Sequence, residues 1–158
     1  MNAKDLARFV EEQGIAAELV FLDVDTPTVV DAADAVGTVP EQIIKSVLFL
    51  ADKKPVMVIS SGTTRLDSKR LADYLGVSRR RVRIANAEQV LAVTGFQAGA
   101  VPPFGHRDQL PTVLEQAVLS QSVVYGGGGE RHALMRLTVA ELQRVVGPEC
   151  ADLLETKQ

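Results

Sequence analysis

The sequence predicts a single α+β domain built on a mixed, curved sheet. Three observations carry that expectation. The chain has 158 residues, close to the roughly 150 of one domain. Strand pairs alternate with single short helices rather than forming a βαβ series. Two continuous apolar runs, SVLFLA and PVMVIS, are separated only by Asp52, Lys53 and Lys54, the pattern of a strand pair buried on both faces at a sheet centre.

The elements follow in order. The spacing of Leu6, Phe9 and Val10 predicts a helix from about Lys4 to Gln13, closed by Gly14. A short strand is expected over Glu18 to Leu22. Thr28 stands three residues before Asp31, and Thr38 three before Glu41. Both are capping-box spacings, so two short helices are expected, the first closed by Gly37 and the second ending near Lys45. After the central strand pair, helix signals return at Ser68 to Leu75 before Gly76, and at Asn86 to Thr94 before Gly95, with a VRI strand between them. The stretch FQAGAVPPFGHRDQL carries three Gly/Pro-rich turns and reads as a shaped loop. Strands near Thr112 to Leu114 and Ser122 to Tyr125 precede four glycines and the strand RHALMRL. Thr138 and Glu141 open a last helix that stops at Gly147 and Pro148, with Cys150 in its tail as a packing residue.

Composition excludes several function classes. Cys150 is the only cysteine, which rules out an intramolecular disulfide and cysteine-based zinc or CxxC chemistry, and the cytosol is the expected compartment. The N-terminus lacks the apolar core of a signal, and no run approaches 18 apolar residues, so no membrane association is expected. Net charge is −3, without the globally basic balance of a general nucleic-acid binder. Charge is nevertheless segregated: residues 1–42 carry 2 basic and 9 acidic side chains, whereas 65–83 carry 7 basic and 2 acidic. Aromatic residues make up 4% with no Trp, too few for base-stacking platforms.

The chemistry-bearing residues narrow the choice further. The run Gly126 to Gly129 lacks a following Gly-Lys-Ser/Thr, and the third position of a GxGxxG would fall on Arg131. A hairpin turn and a close approach to a ligand both remain open for it. His106 and His132 are the only histidines, without metal-ligand spacing, and no metal or cofactor is expected. Ser60, Ser61 and Gly62 form neither a GxSxG elbow nor an SxxK pair. Lys45 interrupts the apolar stretch IIKSVLFL, where an ammonium must either snorkel to the surface or aim into a cleft. Lys69, Arg70, Arg79, Arg80, Arg81 and Arg83 offer phosphate contacts or a merely solvated face.

Four segments, in this order, carry a resemblance: TPTVVDAADAVGTVPEQIIKSVLF, SGTTRLDSKRLADYLG, TGFQAGAVPPFGH and GGGGERHALMRLTVAEL. Over about Phe21 to Gly147 the chain resembles the YbaK and prolyl-tRNA synthetase-associated (ProX-like) aminoacyl-tRNA editing domains. The most specific features are the lysine of IIKS and the Gly99-x-x-x-Pro103 loop. The resemblance implies a mixed, barrel-like sheet ringed by helices and a freestanding deacylase that hydrolyses the ester of a mischarged tRNA, with tRNA-Pro carrying alanine or cysteine as the expected substrate and prolyl-tRNA synthetase as a partner. It implies catalytic roles for Lys45, at the aminoacylated terminal adenosine, and Gly99. The expected substrate-binding set is Thr26, Ser46, Ser60, Gly62, Pro102, Pro103, Phe104, Gly105, His106, Gly127 and Gly128, with Pro102, Pro103 and Phe104 walling the acyl pocket. The six basic residues from Lys69 to Arg83 would meet RNA phosphates.

The absence of a nucleophile–base pair fits a family in which water attacks. Donors aimed at the carbonyl oxygen would then favour the transition state over the ground state. Departures from the family pattern are Glu115-Gln116-Ala117 in place of Asp-Glu-Ser, and DVD before Thr26 where relatives place a histidine; both bear on amino-acid specificity. Two other readings stand beside editing: a non-catalytic tRNA- or synthetase-binding module of the same fold, and a nucleotide-binding regulator using the four-glycine turn.

Overall fold

The computed structural model describes residues 1–155. Helix α1 (Ala3–Glu12) begins at Asn2, whose side chain accepts from the Lys4 and Asp5 N–H groups while the Asp5 carboxylate accepts from the Asn2 N–H. This reciprocal cap satisfies donors that a first helical turn leaves open. Thr28 and Thr138 cap α2 (Val29–Val36) and α5 (Val139–Val146), each accepting from the N–H three residues on. Asp67 and Asn86 cap α3 (Ser68–Leu75) and α4 (Ala87–Thr94). Four of the expected glycine stops hold as left-handed caps.

The central strands are β2 (Ile44–Ala51) and β3 (Lys54–Ser61). Asp52 and Lys53 both take positive φ, 51° and 67°, the pair of left-handed residues that a two-residue I′ turn requires. The ladder therefore closes without slack from Ala51 opposite Lys54 to Ile44 opposite Ser61. Short β4 (Val82–Ile84) joins β2, while β5 (Thr112–Glu115) and β8 (Glu149–Ala151) extend the sheet beyond β3 in parallel pairings, giving the order β4-β2-β3-β5-β8. A second, antiparallel sheet has the order β1-β7-β6, from β1 (Ala17–Phe21), β6 (Val123–Gly127) and β7 (Ala133–Thr138). The two sheets abut where Ile43 forms a lone parallel bridge to Tyr125.

The period of two along β2 and β3 divides the core. Leu48, Leu50, Met57 and Ile59 face inward toward Met135, Leu137, Leu142 and Phe96. Phe49, Val56 and Val58 face the other way, onto Leu71 and Ala72 of α3. Burial on both faces explains why these strands are apolar throughout rather than alternating. No described helix is long and apolar enough to cross a membrane.

The α+β class is as expected, with the curved sheet realised as two abutting sheets rather than a closed barrel. The second short helix, after Thr38, is a single 3-10 turn at Pro40–Gln42, capped by no side chain. The Thr38 hydroxyl bonds the Gln42 side chain instead, and Ile43 is drawn at once into its bridge with Tyr125. Lys45 consequently sits inside a strand, not at a helix end. Gly126 and Gly127 belong to β6, so the hairpin turn falls on the residues after them. Cys150 is exposed on β8 rather than packed behind the last helix. The buried Glu115 carboxylate ties that tail down, accepting from the Leu153 N–H at 3.5 Å and from Ala117 N–H at 2.8 Å.

Candidate functional site

A cavity of about 270 Å³ opens at the seam between the two sheets. Its floor is the first half of β2. Its sides are the entry to α2, the Gly99–Val101 loop, and the β6–β7 hairpin. Four groups from the expected set line it together: Thr26, Lys45 with Ser46, Gly99, and Gly127.

Lys45 is exposed, and no hydrogen bond or ion pair engages its ammonium among the described residues. Its position follows from register, since it stands opposite Ser60 near the open end of the β2–β3 ladder. Ser46, on the opposite face of the strand with Ile44 and Leu48, has a buried Oγ with no hydrogen-bond partner among the described residues. An unpaired buried hydroxyl costs roughly 1–3 kcal/mol, and in a cavity wall it can be satisfied by a water or by a bound group.

Glycines bring the loop and the hairpin together. Gly99 takes φ +89°, a conformation that L side chains rarely adopt. Among the described residues its N–H donates to no backbone carbonyl. A Cβ on Gly127 would stand 2.3 Å from the Val101 carbonyl oxygen, so only glycine allows this approach. The contact is fastened by the Gly129 N–H, which donates to the Ala100 carbonyl at 3.0 Å. Thr26 spans the rim, its hydroxyl 3.4 Å from the Arg131 carbonyl oxygen to which it donates.

Other expected residues lie elsewhere. Ser60, 2% exposed, and Gly62 stand behind the wall. The Gly62 N–H donates to Ile43 O at 2.7 Å, and a Cβ there would meet Val29 at 2.6 Å, so Gly62 holds a wall residue in place without lining the cavity. Gly128 is packed against Ala133. Pro102, Pro103, Phe104, Gly105 and His106 do not wall this cavity. The chain turns away at the prolines because Phe104 packs its ring 6.0 Å from that of Phe9 and Gly105 abuts Leu6 and Phe9. Pro103 to His106 border a second cavity instead.

The Arg79–Arg83 part of the basic cluster is remote from Lys45. Arg83 pairs with Leu50 near the far end of β2, five residues or roughly 17 Å along the strand from Lys45. Arg81 bonds Asp52 at 2.7 Å and Arg70 bonds Asp152 at 3.1 Å. Sequence reasoning missed Glu130 and Arg131, which line the cavity from the hairpin. Their only signal was a charged pair directly after the glycine run.

Comparison with known proteins identifies relatives of the whole domain. The model of the family described as aminoacyl-tRNA editing domain matches residues 23–145. A crystal structure of a candidate trans-editing enzyme for prolyl tRNA synthetase superposes with a TM-score of 0.91 at 35% identity, covering 98% of this chain and 97% of that one. EbsC of Enterococcus faecalis, named as a candidate Cys-tRNA(Pro)/Cys-tRNA(Cys) deacylase, is 25% identical over 77% of this chain and 73% of its own length. The proline–tRNA ligase of Lactiplantibacillus plantarum is 29% identical over 68% of this chain, which spans only 19% of that ligase. Matched over most of its length, the chain belongs to the aminoacyl-tRNA editing domain family.

Proposed function

We propose that this protein is a trans-acting deacylase that hydrolyses the ester between tRNA and a small wrong amino acid. Alanine or cysteine on tRNA-Pro is the expected substrate. The observation that carries the reading is the unpaired Lys45 ammonium sharing one cavity of about 270 Å³ with the Gly99 turn. Hydrolysis places negative charge on the ester carbonyl oxygen as water attacks. An ammonium with no competing partner and a backbone N–H with no backbone acceptor among the described residues favour that charged state over the neutral ester. Lys45 would hold the adenosine-ester end and Gly99, with Gly127, would offer backbone donors, while Ser46 and Thr26 border the acyl group.

The names of the relatives support the chemistry and the tRNA: EbsC is named for deacylation, and the ligases act with proline. Prolyl-tRNA synthetase is the protein partner this reading suggests. Arg80 and Arg83, at the far end of β2, would meet backbone phosphates away from the reacting ester.

The test is deacylation of tRNA charged separately with alanine, cysteine, serine and proline. Wild type should release at least one small amino acid, and Lys45→Ala should lower that rate by about 10² to 10³, the usual cost of losing one such donor. Equal rates for Lys45→Ala and wild type would refute the assignment. Saturable tRNA binding with no release across the panel would instead identify a binding module.

A further inference from the structure

The second cavity, about 430 Å³, is larger than the one at Lys45 and is enclosed by different elements. It lies where the C-terminal ends of α1 and α5 converge on residues 103–110, with Gln13 from the first helix and Arg144 to Val146 from the second. Helix C-termini carry partial negative charge, and residues from two of them line this space.

The side chains add acceptors without an available donor charge. Asp108 is exposed and engaged by no ion pair among the described residues. Nε2 of His106 lies 2.6 Å from the Pro102 carbonyl oxygen. That oxygen can only accept, so Nε2 carries the hydrogen. Burial lowers the His106 pKa against the opposing effect of the Pro102 bond, keeping the ring neutral and Nδ1 an acceptor. Among the described residues Arg144 is the one cation of the lining, and it is paired: Nε and an Nη reach the two Glu141 carboxylate oxygens at 2.6 and 2.8 Å. The rings of Phe9 and Phe104, with centroids 6.0 Å apart, supply apolar faces that also attract cations.

We infer that this cavity is a binding site for a small organic cation, a primary ammonium carried on a compact aromatic or aliphatic body. The ammonium meets Asp108, Nδ1 of His106 and the helix ends, and the body lies against Phe9 and Phe104. The site is separate from the editing cavity, although both use the same loop. Val101 faces one space and Pro103 the other, between glycines at φ +89° (Gly99) and +79° (Gly105).

The test titrates three probes of one shape into the full-length protein by calorimetry: phenethylammonium, 2-phenylethanol and phenylacetate. The cation should bind with Kd at or below about 1 mM, and each of the other two at least about fivefold more weakly. Asp108→Asn should weaken the cation by about fivefold. Glu141→Gln, which releases the Arg144 charge into the site, should weaken it as well. Lys45→Ala, which abolishes editing if the proposed function holds, should leave probe binding unchanged. Failure of the cation to bind, equal binding of all three probes, or a response to Lys45→Ala but to neither acidic variant would each overturn the inference.

Discussion

Replacing Gly127 by alanine tests whether the approach of loop to hairpin is what makes the site. The new Cβ would lie 2.3 Å from the Val101 carbonyl oxygen, 2.8 Å from its carbon and 3.1 Å from the Ala100 carbon. All three neighbours are backbone, so no side chain can rotate away, and ordinary contact begins near 3.4 Å. The loop must therefore retreat by roughly 1 Å, carrying Gly99 with it. A displacement of that size at a reacting centre costs about 100-fold in rate, and forcing extra volume into packed structure costs about 1–3 kcal/mol. The expected result is kcat/KM for ester hydrolysis lowered by about 100-fold, with a folded protein whose Tm falls by several degrees. Gly126 is the control. A Cβ there meets only side-chain atoms, of Ile44 and Pro103 at 3.3–3.4 Å, so Gly126→Ala should stay within a fewfold of wild type. Full activity in Gly127→Ala, or equal damage from both changes, would refute the reasoning.

Other outcomes can be checked with the same preparations. Ser46→Ala removes a buried hydroxyl that bonds nothing among the described residues, so thermal melts should show unchanged or slightly raised stability, by up to about 1 kcal/mol, while deacylation falls; a lowered Tm would mean that the hydroxyl holds the fold together. His106 is held below its ordinary value of 6.5 by burial, so the unfolded chain takes up this proton first. Its contribution is complete above about pH 6.5 and is lost as the pH falls. In denaturant titrations the wild type should therefore lose more stability than His106→Gln on acidification from neutral pH. Substituting Arg80 and Arg83 together by alanine should weaken tRNA binding alike for every acyl group and reduce the slope of log affinity against log salt by about one unit per lost phosphate contact. An unchanged slope would remove the cluster from the RNA interface.

Much of this fold could be read locally because its helices are punctuated locally. Asp67 and Gly76 bracket α3, and Thr138 and Gly147 bracket α5, each supplying hydrogen bonds that need no distant partner. Lys45 stood out because one cation breaks an apolar run, a conflict visible without coordinates. Long-range pairing was less accessible. The turn at Pro40–Gln42 carries a capping spacing but loses its helix to a bridge with a strand eighty residues away. The course of Pro102 to His106 depends on Phe9 at the other end of the chain, so a loop legible as a pocket wall serves a different pocket. The distance from Arg83 to Lys45 was hidden for the same reason, since it is set by the register of β4 on β2. Cys150 joined a sheet because β5 offers an open parallel edge, which nothing in the tail announces.

The lone Ile43–Tyr125 bridge has a further implication. Within each sheet, ladders fix neighbouring strands to one another, whereas across this junction one bridge is joined by the side chains packed between the layers. The cavity proposed to hold the acyl group lies at that junction, so under the proposed function its size limit would depend on the spacing of the layers as well as on the residues lining it. Volume changes at Met135 or Leu137, buried between the layers, would therefore alter which amino acid is accepted while leaving every lining side chain as it is.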